Sequence, residues 1–254
     1  MLAGGRMLAV LAAWLTAGLS SLQLPRIIQG GMGARVSSWK LARAVALEGQ
    51  LGLTSGVAMD AVFVRSLQDG DPEGIIRRSL AAFPDQDMAN RFIDKYYVEG
   101  GKDPARPYKP LPMWTLNPPQ MLVEATVLAN FCEATPLPPS HSARRRLRAA
   151  RTHAHRRPAP QVWLAKHDDD GNPIECGNVG INLLTKIQLP NVPSLFGAML
   201  AGADYVVMGA GIPMEIPGIL DDLSEGKPCK LVIDTEGATA EQQQESAAVL
   251  LCRH

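Results

Sequence analysis

Glycines that follow two short apolar runs are the residues of this chain best suited to hold a flat ligand. The runs are residues 26–33 (RIIQGGMG) and residues 51–56 (LGLTSG). Glycine at the carboxyl end of a strand allows the backbone to turn sharply, and it allows a flat ligand to approach closely. Ligands of parallel α/β folds bind at the carboxyl ends of the strands, so we expect a ligand site where these two runs end.

The two runs are predicted to be strands of a parallel sheet. Each is continuously apolar rather than alternating, which is typical of a strand that is buried on both faces. A helical pattern at residues 38–47 separates them. Strand, helix and strand, with glycines at the same end of both strands, predict an α/β fold that is either a barrel or a doubly wound sheet.

Residues 57–110 interrupt this alternation with three amphipathic helical patterns, in which apolar residues recur at spacings of three and four. We expect this helical excursion to form either a lid over the ligand or a packing layer without substrate contact. Further helices are predicted at residues 118–134, 194–203 and 216–223. Further strands are predicted at residues 111–116 (LPMWTL), 162–166 (VWLAK), 178–184 (NVGINLL), 204–211 (DYVVMGAG) and 229–237 (CKLVIDTEG).

Composition is typical of a globular protein rather than a disordered or membrane one. The 254 residues are 46% hydrophobic and 20% charged, and 25 basic residues balance 25 acidic ones. This balance argues against a dedicated nucleic-acid-binding protein. The four cysteines have no metal-binding spacing and lie too far apart for a disulfide framework, so we expect free thiols in a reducing cytoplasm.

Two segments do not fit the α/β pattern. Residues 1–23 are an apolar N-terminal extension that imitates a secretory signal, but its apolar run, residues 7–19, falls short of the ~20 residues of a membrane-spanning helix. They could instead be a helix that closes the bottom of a barrel, or an over-long reading frame. Residues 135–161 hold seven arginines and no acidic residue. This basic insert could be a disordered loop, an artefact of gene prediction or an arm that binds nucleic acid, and we favour the first two.

Four blocks of the sequence resemble the nitronate monooxygenase family, formerly called 2-nitropropane dioxygenases. They are residues 27–56, 100–120, 177–213 and 215–223. The resemblance implies an FMN-dependent (β/α)8 TIM-type barrel with the excursion after its second strand, formed by residues 24–254. The barrel would be incomplete, because about six or seven of the eight strands that it needs can be counted before the chain ends.

The resemblance also implies which residues bind FMN. The glycine turn would pass close to the flavin ring, Met32 would pack against it, and residues at the ends of later strands would contact its edges. The implied cofactor-binding residues are Gly30, Gly31, Met32, Ser55, Gly56, Asn182, Lys186, Gly209 and Gly211. An alternative role for Lys186 is a salt bridge between loop and helix, and the glycines after the strand at 204–211 could simply allow a tight turn.

The activity implied by the resemblance is oxidation of a nitronate or nitroalkane with O2 to a carbonyl compound and nitrite, without nucleic-acid or membrane partners. A catalytic base is not identified, since His167 beside three aspartates is expected to be a solvated turn residue. The glycine-rich loops that grip the FMN phosphate are also missing after Gly237. Two alternatives stay open: an FMN-dependent enoyl reductase of fatty-acid or polyketide synthesis, and an inactive fragment. Because an incomplete barrel leaves apolar strand edges unpaired, we expect the chain by itself to aggregate, to hold little FMN and to lack nitronate oxidation.

Overall fold

The computed structural model describes residues 24–33, 36–132, 165–167, 177–233, 237 and 239. The predicted N-terminal extension and basic insert lie outside these residues. The described residues form seven helices and three strands. In chain order they are α1 (Trp39–Leu47), β1 (Gly52–Ser55), α2 (Met59–Gln68), α3 (Ile75–Ala82), α4 (Gln86–Tyr96), α5 (Gln120–Phe131), β2 (Val179–Leu184), α6 (Asn191–Leu200), β3 (Tyr205–Gly209) and α7 (Ile216–Ser224).

The three strands form one parallel sheet in the order β1-β2-β3. A fourth extended segment lies beside β1, where Ile28 makes an isolated parallel bridge to Leu51. The backbone N–H of Gln29 donates to the carbonyl of Leu51 at 3.0 Å, and the chain then leaves the sheet. A mixed α/β fold with a parallel sheet is therefore confirmed.

One face of the sheet packs against the helices. Ile181 and Leu183 of β2 belong to the buried core that the helices share. A Cβ placed on Gly56 would lie 2.7 Å from Cδ1 of Ile181, which puts Gly56 on this same face. Gly52 faces α1, since a Cβ there would overlap the backbone of Ala42. Glycine at these positions lets helix and sheet approach each other closely.

The opposite face carries the alternate residues of the same strands. A Cβ on Gly180 would lie 2.7 Å from Cδ2 of Leu53 and 3.1 Å from the Cβ of Tyr205, so these three residues share a face. Because side chains alternate along a strand, Ser55 and Asn182 also lie on this face. The two are paired in the parallel register of β1 and β2.

The helical excursion contributes to the core. Its predicted helices are confirmed as α2, α3 and α4. The rings of Phe63 in α2 and Phe92 in α4 are 6.0 Å apart, and the rings of Phe83 and Phe131 meet edge to face at 4.8 Å. All four side chains are buried. The excursion therefore packs against the core, and its role as a lid stays a prediction.

Four of the predicted strands are wrong in whole or in part. Residues 26–33 form only the isolated bridge at Ile28, because the chain leaves the sheet after Gln29. Residues 111–116 form no strand, because Pro110 and Pro112 remove backbone donors and the Trp114 indole instead donates to Oδ2 of Asp60 at 3.0 Å. In the segment 162–166, the described residues Ala165 and Lys166 are helical. In the segment 229–237, the described residues form only a bridge at Cys229.

The other strand and helix predictions are confirmed within a few residues of their ends. The three strands of the described residues are too few to show or to exclude a (β/α)8 barrel, so the barrel stays a prediction. None of the described helices has the length and apolar character needed to cross a membrane.

Candidate ligand site at the carboxyl ends of the strands

The glycine turn, residues 30–33, is held in place by two polar side chains. Nε2 of Gln29 donates to the carbonyl of Gly30 at 2.8 Å and to Oγ of Ser37 at 3.0 Å. The Ser37 hydroxyl accepts the backbone N–H of Met32 at 2.9 Å and lies 3.3 Å from the carbonyl of Gly30. The turn is therefore tied on both sides to side chains rather than left as a free loop.

The same two residues attach the turn to the sheet. Oε1 of Gln29 accepts the backbone N–H of Leu53 at 2.9 Å, and the carbonyl of Ser37 accepts the backbone N–H of Ser55 at 3.0 Å. Both donors belong to β1. The turn consequently keeps a defined position relative to the carboxyl end of the sheet.

Gly31 lies directly against Asn182. A Cβ on Gly31 would overlap the Cβ and Cγ of Asn182 and would lie 2.8 Å from its Oδ1. By contrast, a Cβ on Gly30 would meet no atom within 4 Å. The two glycines thus have different reasons for lacking a side chain. Gly31 makes room for Asn182, whereas Gly30 faces open space that a ligand could occupy.

Ser55 and Asn182 place two polar side chains side by side beneath this turn. Ser55 is 0% exposed, and its Oγ has no hydrogen-bond partner among the described residues. Asn182 is 8% exposed, and its side-chain amide makes no hydrogen bond with another described residue. Buried polar groups are normally paired, so the unpaired Ser55 hydroxyl points to a hydrogen-bonding ligand, which the neighbouring Asn182 amide could also contact.

Two of the three non-glycine residues with positive φ in the described part of the chain lie at this end of the sheet, and the third, Asp71, lies in the helical excursion. Ala58, just after β1, has φ 57°, and Ala210, just after β3, has φ 59°. Alanine rarely adopts this left-handed conformation, and such strain often accompanies functional loops. Gly211 follows with φ 152° and packs against Thr185, whose backbone N–H donates to the carbonyl of Gly209 at 2.8 Å. These bonds join the loops after β2 and β3.

Lys186 supplies a positive charge in the loop after β2. Its side chain is exposed and makes no ion pair with any residue in the described part of the chain. A salt bridge to a helix, the alternative that the sequence allowed, is therefore not seen there. The cation is free to interact with an anionic ligand.

Apolar side chains at this end of the sheet are exposed rather than buried. Met32 at the glycine turn is 58% exposed, and Ile187, Ile212 and Met214 in the loops after β2 and β3 are exposed as well. We call these four residues the apolar rim. Exposed apolar residues near unpaired polar groups are typical of ligand sites, which combine apolar walls with a few polar contacts.

His167 lies away from this site. It is half-buried rather than fully solvated, and its carbonyl accepts a hydrogen bond from Arg43 at 3.0 Å. The adjacent Lys166 forms a 2.7 Å ion pair with Asp204, which precedes β3 at the opposite end of the sheet. Among the described residues, no group of histidine, cysteine and acidic side chains could hold a metal ion.

All nine residues predicted to bind the cofactor lie in the glycine turn or at the carboxyl ends of β1, β2 and β3. Their roles in binding stay predictions. Sequence reasoning missed Gln29 and Ser37. The available signal was a glutamine directly before two glycines in an otherwise apolar run, since a polar side chain there needs a partner.

Comparison of the chain with protein-family models, with curated proteins and with solved structures finds no match.

Proposed function

We propose that this chain is an FMN-dependent oxidoreductase of the nitronate monooxygenase type, built on a (β/α)8 barrel and acting in the cytoplasm. It would oxidise nitronates or nitroalkanes with O2 to a carbonyl compound and nitrite. The observation that carries the proposal is the unpaired hydroxyl of Ser55 beside Asn182, beneath a glycine turn. It lies at the end of a parallel sheet where such folds bind ligands.

The residues at this end of the sheet fit a flavin ring. Gly30 leaves open space above the turn, and the exposed Met32 side chain supplies an apolar surface for one face of a ring. The unpaired hydroxyl of Ser55 and the side-chain amide of Asn182 offer donors and acceptors to polar ring edges. None of the described residues is assigned to the FMN phosphate.

When bound, FMN supplies the two-electron chemistry and the reaction with O2. The residues of the chain bind and orient. The Lys186 cation would attract an anionic nitronate and favour negative charge on the reduced cofactor. Asn182 would fix a carbonyl or a nitro group by hydrogen bonds, and the apolar rim would exclude water. A nitronate is already an anion, so its oxidation requires no catalytic base from this chain.

The apolar rim favours a second candidate, an FMN-dependent enoyl reductase of fatty-acid or polyketide synthesis. Its acyl substrate is apolar and would match the exposed Met32, Ile212 and Met214. Oxidation of NADH that depends on an enoyl thioester would identify this activity. Consumption of O2 that depends on a nitronate would identify the first.

The experiment that tests the proposal is FMN titration of the full chain, followed by absorbance and flavin fluorescence. The proposal requires that the wild-type chain binds FMN and that the Gly30→Leu variant binds it at least about tenfold more weakly, because the leucine fills the open space. Gly218→Leu is the matched control, since a Cβ on Gly218 would also meet no atom within 4 Å, but Gly218 lies in α7. A wild-type chain that is folded but binds no FMN would contradict the proposal, and an aggregated chain would favour the inactive fragment.

A further inference from the structure

We propose that Gln29 and Ser37 are positioning residues of the flavin site. They would hold the glycine turn in the one conformation that leaves Gly30 open to the ligand and places Gly31 against Asn182. This inference rests on the proposed function, because it assigns the purpose of the turn to FMN binding. It adds two residues that act through the turn rather than by contact with the ligand.

The glycine turn needs such support because its own residues provide little rigidity. Glycine has more conformational freedom than any other residue and loses the most when it is fixed. The turn makes few backbone hydrogen bonds: Ser37 N–H donates to the carbonyl of Met32 at 3.3 Å, and Val36 N–H donates to the carbonyl of Gly33 at 3.2 Å. The carbonyl of Gly30 and the N–H of Met32 are held instead by the Gln29 and Ser37 side chains.

Gln29 allows the main chain to leave the sheet without leaving a backbone donor of β1 unpaired. If the segment that bridges to Leu51 had continued as a strand beside β1, a backbone carbonyl of that strand would have accepted the N–H of Leu53. Oε1 of the Gln29 side chain accepts that N–H at 2.9 Å. The backbone from Gly30 onward is therefore free to cross over Asn182, while the buried Leu53 N–H keeps its partner.

Ser37 connects the turn to the residue whose hydroxyl is unpaired. Ser37 is 1% exposed, so its contacts are shielded from water. Its hydroxyl bonds the turn, and its carbonyl accepts the N–H of Ser55. Loss of the Ser37 hydroxyl should therefore loosen the turn, while the backbone bond from Ser55 to the Ser37 carbonyl remains.

The test combines hydrogen exchange of the ligand-free chain with FMN titration. In Ser37→Ala we expect the Met32 amide to exchange at least about tenfold faster and FMN to bind about tenfold more weakly. The exchange of the β2 amides should not change. Ser79→Ala is the matched control, because Ser79 is equally buried and its hydroxyl also bonds a carbonyl, that of Ile75 at 3.0 Å, but it lies in α3. This control should leave both measurements unchanged.

A second variant keeps the test decisive if Ser37→Ala unfolds the chain. Gln29→Glu retains an acceptor for Leu53 but loses the donor to Gly30, so it should loosen the turn and weaken FMN binding while β1 stays protected. Unchanged exchange at Met32, or faster exchange with unchanged FMN affinity, would overturn the positioning role. A folded wild-type chain without FMN affinity would instead overturn the proposed function and the positioning role with it.

Discussion

The Asn182 side chain fills the space that a side chain on Gly31 would need, so the absence of that side chain allows Asn182 to lie beneath the glycine turn. The two residues are far apart in the chain, yet a Cβ on Gly31 would overlap Asn182. A large residue at Gly31 could therefore prevent FMN binding in two ways, by displacing Asn182 or by excluding the ligand. A large residue at Gly30 would exclude the ligand without displacing Asn182, because Gly30 faces open space.

The first prediction follows from this contact. Gly31→Ala should lower the free energy of unfolding by about 1–3 kcal/mol, because the added methyl group overpacks a filled space. Gly30→Ala should stay within about 0.5 kcal/mol of the wild type, since nothing lies within 4 Å of its Cβ. Urea denaturation of both variants measures the difference. Equal stabilities would show that Asn182 moves aside at no cost.

The second prediction concerns two neighbouring hydroxyl groups of β1. Ser55→Ala should leave the unfolding free energy unchanged or raise it by up to about 1 kcal/mol, because it removes a buried hydroxyl that has no partner among the described residues. Thr54→Val should lower it by about 0.5–1.5 kcal/mol, because the Thr54 hydroxyl donates to the carbonyl of Gly180 at 3.2 Å.

The same two substitutions should affect FMN affinity in the opposite order to their effect on stability. Ser55→Ala should weaken FMN binding if the hydroxyl is reserved for the ligand, whereas Thr54→Val should leave it unchanged, because Thr54 lies on the helix-covered face. Thermal denaturation and FMN titration of the same samples measure both properties. A clearly destabilised Ser55→Ala variant would show that the hydroxyl has a partner in the folded chain.

The third prediction concerns the strained backbone after β1. Ala58→Gly should be neutral or stabilise the chain by up to about 1 kcal/mol, because the ~1–2 kcal/mol cost of a left-handed alanine exceeds the entropy that glycine adds to the unfolded chain. Ala44→Gly is the control. Ala44 is also exposed but lies inside α1, where glycine should cost about 0.5–1 kcal/mol. Chemical denaturation that gave both variants the same sign would contradict the strain at Ala58.

The fourth prediction concerns the charge at Lys186. Lys186→Gln should weaken FMN binding by a few-fold, because an exposed ionic contact is worth about 0.2–1 kcal/mol, and the difference should vanish at high salt. The unfolding free energy should change by less than about 0.5 kcal/mol. Lys40→Gln in α1 is the matched control and should leave FMN affinity unchanged at any salt concentration. If both substitutions changed FMN affinity equally, Lys186 would not be a residue of the FMN site.

Local sequence patterns were sufficient to predict most helices, the parallel character of the strands and the position of the glycine turn. Amphipathic spacing predicted α2, α3 and α4, because a helix places residues three and four apart on one face. Continuous apolar runs predicted β1, β2 and β3, because strands covered on both faces carry mostly apolar side chains. Ser55 and Asn182 are polar exceptions, and β3 is only partly buried. The same rule failed at residues 111–116, where an apolar run is interrupted by prolines and tied down by Trp114.

Only the tertiary structure decided which residues meet. The pairing of Ser55 with Asn182, the overlap of Gly31 with Asn182 and the bonds of Gln29 and Ser37 to β1 each depend on how the chain crosses over itself. An apolar pattern records that a residue is buried, but not what it is buried against. Hydrogen bonds between distant segments are set by the register of the strands and the path of the turn, so they became visible only once the sheet was assembled.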